Sequence, residues 1–204
     1  DTSARMASIP SGLLTCLPTP TASSTVSVRF ACIILCLWSV LFAPAARSES
    51  PTILVLGDSL SAAYNIRLEQ GWVALLQGRL KAQGYGHRVV NASASGETTG
   101  GALARLPRAL ELHRPAVVIV ELGGNDGLRG LPIADVRRNF ESLIRLSSAA
   151  GAKVLLVGMR IPPNYGPAYT KAFHDLYGEL ARRHALPLVP FFLDGIALDD
   201  SLML

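Results

Sequence analysis

The chain has 204 residues, half of them hydrophobic, and a formal net charge of +4 at pH 7. This length suits one globular domain, and a small, scattered excess of positive charge argues against nucleic-acid binding. All three cysteines, Cys16, Cys32 and Cys36, precede residue 46. Residues 46–204 therefore exclude a disulfide scaffold, a thiolate metal site and a cysteine nucleophile.

An apolar run near the start of the chain predicts export. Residues 30–43 read FACIILCLWSVLFA, which is shorter than the roughly 20 residues that a membrane-spanning helix needs. Arg29 before the run and Ala43-Pro44-Ala45 after it are typical of a secretory signal peptide. We expect residues 1–45 to be a disordered leader plus signal peptide and residues 46–204 to be one domain. The mature protein would be periplasmic or secreted, with no stable membrane anchor.

From residue 52 onward, short apolar runs alternate with stretches of helical periodicity. The predicted strands cover residues 52–56, 88–91, 116–122, 153–158 and 188–192. The predicted helices carry apolar stripes at Trp72, Leu75, Leu76 and Leu80, at Leu103, Leu106 and Leu110, at Val136, Phe140, Leu143 and Ile144, and at Tyr169, Phe173, Leu176 and Leu180. This alternation predicts an α/β fold, a three-layer doubly wound (flavodoxin-like) sheet of five parallel strands.

Unusual polar loops follow the first four predicted strands. They are Gly57–Ser61, Asn91–Thr98, Gly123–Gly127 and Arg160–Gly166, rich in Gly, Ser and Asn. Because ligands bind at the carboxyl ends of parallel strands, these loops mark the candidate site. The connections at the opposite edge are ordinary helix ends.

Ser59 is the candidate nucleophile at this edge. A serine just past a strand can present its hydroxyl to a substrate and its own N–H to a developing oxyanion. The alternative is that Asp58 or Ser59 caps a following helix.

Gly96 and Asn125 are candidate oxyanion donors on two further loops. A glycine leaves its backbone N–H unobstructed, although Gly96 also fits an ordinary turn. The Asn125 amide can donate to an oxyanion, although asparagine between glycines also favours turns. Three such donors from three loops at one edge favour the catalytic interpretation.

Three blocks of this sequence resemble a known family. ILVLGDSLSAAY, NASASGETTGG and VELGGNDGLRG are similar to the first three conserved blocks of the SGNH (GDSL) hydrolases. The resemblance runs from about residue 51 to 198 and is closest to the bacterial periplasmic branch with acyl-CoA thioesterase, arylesterase and lysophospholipase activities. RIPPNYGPAY also resembles a segment typical of that branch.

The resemblance implies a serine esterase or thioesterase. Ser59 would form an acyl-enzyme that water hydrolyses, and Ser59 N–H, Gly96 N–H and the Asn125 side chain would form the oxyanion hole. The substrate would be a small-molecule acyl ester or thioester, and no metal or cofactor would be needed. Residues 61–64 and 160–166 would border an acyl groove.

The family's catalytic Asp-x-x-His motif has no counterpart in this sequence. His87, His113 and His184 each precede a predicted strand, so we place them at the amino edge, roughly 15–20 Å from Ser59. His174 falls in the middle of the fourth predicted helix. We therefore expect a C-terminally truncated family domain without its last helix, with an exposed apolar face and impaired hydrolysis.

Two other classes of function remain as alternatives. A non-catalytic acyl- or lipid-binding remnant would keep the groove without a working triad. A flavin- or phosphate-binding doubly wound protein is less favoured, because no Gly-x-x-x-x-Gly-Lys loop follows the first strand and Asp58 would face a phosphate there.

Overall fold

A computed structural model describes residues 50–197 of the chain. The leader and signal peptide predicted for residues 1–45 lie outside this range, as do residues 198–204. The strands are β1 (Thr52–Gly57), β2 (Arg88–Asn91), β3 (Val117–Glu121), β4 (Lys153–Val157) and β5 (Leu188–Val189). The helices are α1 (Trp72–Ala82), α2 (Thr99–His113), α3 (Gly124–Leu128), α4 (Ile133–Ala149) and α5 (Pro167–His184). Short 3-10 turns occupy Leu68–Gln70 and Pro163–Tyr165.

The five strands form one parallel sheet in the order β2-β1-β3-β4-β5. This is the strand order of flavodoxin-like folds, in which the order reverses at the first strand. The sequence prediction of a doubly wound α/β fold is therefore confirmed. The reversal brings the carboxyl ends of β1, β2 and β3 next to one another.

The two faces of the sheet are covered by different helices. α2, α4 and α5 pack on one face around a large buried core that includes Leu54, Val120, Phe140 and Leu176. α1 packs on the other face with Val73, where the buried cluster is much smaller. The strands consist mainly of Val, Leu and Ile because both faces of a parallel sheet are covered.

Two predicted elements differ in detail from the structure. In α1, Val73 is buried against the sheet, and Trp72, Leu76 and Leu80 pack beside it. Leu75 lies on a different face of the helix and is 60% exposed. β5 covers only two residues of the predicted 188–192. It ends just before Pro190, which has no N–H to continue the ladder.

The structure also contains a helix that the sequence pattern did not predict. α3 follows β3 directly and reads GNDGL, a composition typical of turns. Its N-cap is Gly123, whose φ of 101° is readily adopted only by glycine. Among residues 50–197 no helix is both long and apolar enough to cross a membrane.

Candidate active site

The three predicted site residues lie on adjacent loops at the carboxyl edge. Ser59 follows β1, Gly96 follows β2, and Asn125 lies in α3 directly after β3. The Asn125 side chain joins the loops, since its Nδ2 donates to Asp58 Oδ2 at 3.2 Å and to the Glu97 carbonyl at 2.9 Å. Asp58, next to Ser59, and Glu97, next to Gly96, are thus both hydrogen-bonded to the Asn125 amide.

Ser59 is half-buried at the head of a compact turn. Asp58 Oδ1 accepts the Leu60 N–H at 3.0 Å, and the Asp58 carbonyl accepts the Ala62 N–H at 2.9 Å. No helix begins here, because the next helical residues are in the 3-10 turn at Leu68. The helix-cap alternative for Asp58 and Ser59 is therefore wrong, and the Asp58 carboxylate closes a local turn instead.

Asp58 is 3% exposed, and this burial is the main cause of a raised pKa for its carboxyl group. The nearby charge of Asp126 raises this pKa further, while hydrogen bonds from Leu60 and Asn125 oppose the rise. The Asp58 carboxyl group thus orients the Asn125 amide from a poorly solvated position.

Gly96 has a φ of 75°, which fixes it in a conformation that favours glycine. Its carbonyl accepts Arg129 Nη2 at 3.0 Å, so the peptide is held from the outer side. Within residues 50–197 neither the Gly96 N–H nor the Ser59 N–H donates to another protein group. Both are therefore free to bind an oxyanion.

The Asn125 amide lies at the same edge, with its N–H groups directed at Asp58 and Glu97. To donate to an oxyanion it must weaken one of these bonds, and the contact with Asp58 is the longer. Catalytic hydrogen bonds of this kind often align only when a substrate is present.

A buried carboxylate that sequence reasoning missed connects two of these loops. Asp126 accepts the Thr99 backbone N–H at 2.9 Å and the Thr99 hydroxyl at 2.6 Å. Asn139 Nδ2 donates to the same hydroxyl at 3.0 Å, and Asp126 and Thr99 are both fully buried. Because Asp126 follows Asn125 and Thr99 opens α2 just after Gly96, this contact fixes the two candidate donors relative to each other.

A second buried carboxyl group, Glu121, lies at the end of β3. It accepts the Ser61 hydroxyl at 2.6 Å, and burial raises its pKa to about 8. Ser61 was predicted to border a groove, but it is 1% exposed and lies beneath the turn. The sequence signal was available, since Glu121 is the only charged residue in the strand VVIVE.

The histidines lie where the sequence placed them relative to the strands. His87 precedes β2, His113 ends α2 before β3, and His184 ends α5 before β5, all at the amino edge. His174 is exposed on α5. In the part of the chain that the structure describes, no histidine hydrogen-bonds Ser59, and no three His, Cys, Asp or Glu side chains are grouped to hold a metal ion.

Comparison with known sequences agrees with this arrangement. The GDSL-like Lipase/Acylhydrolase family matches residues 55–203. Esterase TesA of Pseudomonas aeruginosa is 53% identical over 168 residues, which are 82% of this chain and 83% of that protein. Thioesterase 1/protease 1/lysophospholipase L1 of Escherichia coli strain K12 is 43% identical over 156 residues, 76% of this chain and 74% of that protein.

Solved structures show the same fold. A crystal structure of TesA is 53% identical with a TM-score of 0.73, over 75% of this chain and 85% of that one. Esterase EstA from Pseudoalteromonas sp., inhibited by monoethylphosphonate, is 46% identical with a TM-score of 0.73, over 75% and 84% of the two chains.

The chain belongs to the GDSL-like lipase/acylhydrolase (SGNH) family, as its sequence blocks indicated. It is a serine-dependent hydrolase of acyl esters by family. A flavin- or phosphate-binding function is not supported by any of these relatives.

Proposed function

We propose that Ser59 is the nucleophile and that the Ser59 N–H, the Gly96 N–H and Asn125 Nδ2 form the oxyanion hole. Ser59 Oγ would attack the acyl carbonyl, the leaving group would depart with a proton, and water would then hydrolyse the acyl-enzyme. The observation that carries this proposal is the Asn125 amide, bonded both to Asp58 beside Ser59 and to Glu97 beside Gly96.

The proposed substrates are aryl esters, acyl thioesters and lysophospholipids. The relatives named above include an esterase and a thioesterase/lysophospholipase, and an arylesterase of Vibrio mimicus is 44% identical over 160 residues. The exposed side chains of Leu60 and Tyr64 beside Ser59 support an acyl-binding surface there. Tyr165 extends that side of the edge, since its hydroxyl donates to the Leu128 carbonyl at 2.8 Å.

We also propose that residues 50–197 supply the nucleophile and the oxyanion donors without a general base. Three histidines at the amino edge and an exposed His174 support this. An oxyanion hole without a complete triad still accelerates hydrolysis by about 10³–10⁴ over water in other serine hydrolases. The activity expected from residues 50–197 alone is therefore low but measurable.

Export through a signal peptide within residues 1–45 is part of the same proposal. Arg29, the apolar run 30–43 and the small residues that follow support it. The proposed location is the periplasm or the extracellular medium. N-terminal sequencing of the protein from a bacterial periplasmic extract would test the cleavage.

Labelling with a fluorophosphonate probe tests the nucleophile directly, because covalent labelling of Ser59 accumulates with time and is measurable even when the serine reacts slowly. We expect Ser59→Ala to abolish labelling and ester hydrolysis. Ser148→Ala, an exposed serine on α4, is the matched control and should label like the wild type. If the wild type binds a fluorescent fatty acid but Ser59 does not react, the chain is an acyl-binding protein and the catalytic proposal fails.

A further inference from the structure

A buried hydrogen-bonded chain lies directly beneath the Ser59 turn. The Trp72 indole N–H donates to Ser61 Oγ at 3.2 Å, and Ser61 Oγ donates to Glu121 Oε2 at 2.6 Å. Ser61 is 1% exposed and Glu121 is fully buried. These two hydrogen bonds link α1 to the Ser59 turn and the turn to β3. None of the three residues has a part in the proposed acyl transfer.

Glu121 holds the turn just after Ser59. Its carboxyl group accepts the hydroxyl of Ser61, two residues after Ser59, at 2.6 Å. Asn91 Nδ2 adds a bond to the Ser61 carbonyl at 2.7 Å. The path of the turn is therefore set from below by groups on β2 and β3.

Gly57 makes this contact possible. A Cβ at this position would lie 2.5 Å from Ser61 Oγ and 2.8 Å from Glu121 Oε2, both closer than side-chain atoms pack. Gly57 has an ordinary extended conformation in β1, so the absence of a side chain and not backbone freedom is what this position requires. The glycine of the Gly-Asp-Ser block thus leaves room for the carboxyl group.

We propose that Glu121 is a positioning residue for Ser59: its buried carboxyl group holds the nucleophile turn through Ser61, and a negative charge on it would repel the Asp58 carboxyl group beside Ser59 and disturb that turn. This inference rests on the proposed role of Ser59. A carboxylic acid can both donate and accept, whereas a carboxylate only accepts and needs compensating donors. Glu121 Oε1 has no hydrogen-bond partner among the described residues, which disfavours the charged form.

The groups around Glu121 also favour its neutral form. Burial and the charge of Asp58, on the turn after β1, raise its pKa to about 8, although the Ser61 hydroxyl and the Asp58 backbone oppose this rise. From α5 the Tyr177 phenol interacts with Glu121 and with Asp126 of α3. α1 contributes the uncharged indole of Trp72. The groups facing Glu121 are thus acidic or neutral.

The experiment compares the full-length wild type with Glu121→Gln across pH 6 to 10. The amide keeps the size and neutrality of the acid but cannot ionise. Glu111→Gln, at an exposed position on α2, controls for the substitution itself. Two readouts are recorded, the rate of fluorophosphonate labelling of Ser59 and the indole 15N–1H resonance of Trp72, assigned with Trp72→Phe.

We expect Glu121→Gln to label within about threefold of the wild type at pH 6.5, because an amide replaces the neutral acid at little cost. Above pH 8 the wild type should fall about tenfold behind Glu121→Gln, since displacing a nucleophile by an ångström costs up to about a hundredfold. The Trp72 resonance should shift with the same midpoint in the wild type and in Glu111→Gln, and stay constant in Glu121→Gln.

Two results would overturn the inference. One is a Trp72 resonance that does not titrate in the wild type, or that titrates unchanged in Glu121→Gln. The other is a labelling ratio between wild type and Glu121→Gln that is constant with pH. If Trp72 titrates as expected but Ser59 is unreactive at every pH, the proposed function fails, and the role of Glu121 in positioning a nucleophile fails with it.

Discussion

The carboxyl and amino edges of the sheet differ in where polar side chains are buried. Of the seven buried polar or charged residues within 50–197, five lie at the carboxyl edge, namely Asp58, Ser61, Thr99, Glu121 and Asp126. The other two are Thr52, at the start of β1, and Ser147, in α4. Since buried polar groups are costly unless paired, their concentration at one edge indicates where the fold gives up stability for function.

The hydrogen bonds of the buried polar residues also differ between the two edges in how far apart their partners are along the sequence. Ser147 donates to the Leu143 carbonyl of its own helix, whereas Asp126 bonds Thr99, 27 positions away along the chain. At the amino edge, His113 and His184 end helices α2 and α5. The carboxyl edge is thus a network across loops, and the opposite edge is a set of helix ends.

Removing Asp126 should produce the largest effect in this comparison. Asp126→Ala leaves the buried N–H and hydroxyl of Thr99 without their acceptor, at about 1–3 kcal/mol for each group. We expect unfolding in urea to show a loss of about 2–5 kcal/mol and ester hydrolysis to fall at least tenfold. Ser147→Ala, which orphans no group, should cost under about 1 kcal/mol and leave activity unchanged. Equal losses from both variants would contradict the distinction between the edges.

The pH dependence of stability distinguishes Glu121 from exposed carboxylates. Its pKa rises from an ordinary value of 4.5 to about 8 on folding. Between these pH values the unfolded chain releases a proton that the folded chain retains, so the free energy of unfolding falls as pH rises, by at most about 1.4 kcal/mol per pH unit. Glu121→Gln removes this loss.

Urea unfolding at pH 5, 6.5, 8 and 9 measures that difference. The stability of Glu121→Gln relative to the wild type should increase up to about pH 8 and then level off. Glu111→Gln, on the exposed surface of α2 near the amino edge, is the control for the change of charge. A difference for Glu121→Gln that does not vary with pH would show that the carboxyl group ionises normally in the fold.

The fold and the location of the site could be predicted because both follow from local patterns. The β-branched strand at 117–121 and the stripe of Val136, Phe140 and Leu143 are visible within single segments. The position of Ser59 and Asn125 after strands also follows from chain order, since parallel strands end at one edge.

The supporting network could not be predicted in the same way. The bonds from Ser61 to Glu121 and from Thr99 to Asp126 join residues 60 and 27 positions apart, and no periodicity within a segment encodes such pairs. Leu75 shows the same limit on a smaller scale, because its spacing fits the apolar face while the helix turns it to solvent. A charged residue ending an apolar strand, as Glu121 does, is the signal that could have been used.

Gly57→Ala tests how closely the carboxyl edge is packed. The added Cβ would meet Ser61 Oγ at 2.5 Å and Glu121 Oε2 at 2.8 Å, so the turn must move. Overpacking of this kind costs about 1–3 kcal/mol, and we expect kcat to fall more than KM changes. Gly78→Ala, in α1 with no atom near its Cβ, should instead stabilise by up to about 1 kcal/mol. If Gly57→Ala changed neither the free energy of unfolding nor kcat, Glu121 and Ser61 would be able to move apart without consequence.

Arg129→Ala should have the smallest effect, because the peptide it contacts is held by other bonds. Arg129 Nη2 donates to the Gly96 carbonyl at 3.0 Å from an exposed position. The Gly96 turn is also closed by the Glu97 N–H, which donates to the Ala94 carbonyl at 3.2 Å, and by Asn125 on the Glu97 carbonyl.

Because those bonds remain, we expect Arg129→Ala to lower kcat/KM by only about two- to fivefold and to change stability by within about 0.5 kcal/mol. Arg145→Ala, on the exposed side of α4, should change neither. A loss in kcat/KM as large as that of Asp126→Ala would show that the outer contact, and not the buried one between Asp126 and Thr99, sets the position of Gly96. The exposed contact of Arg129 would then matter as much for kcat/KM as the buried contact of Asp126.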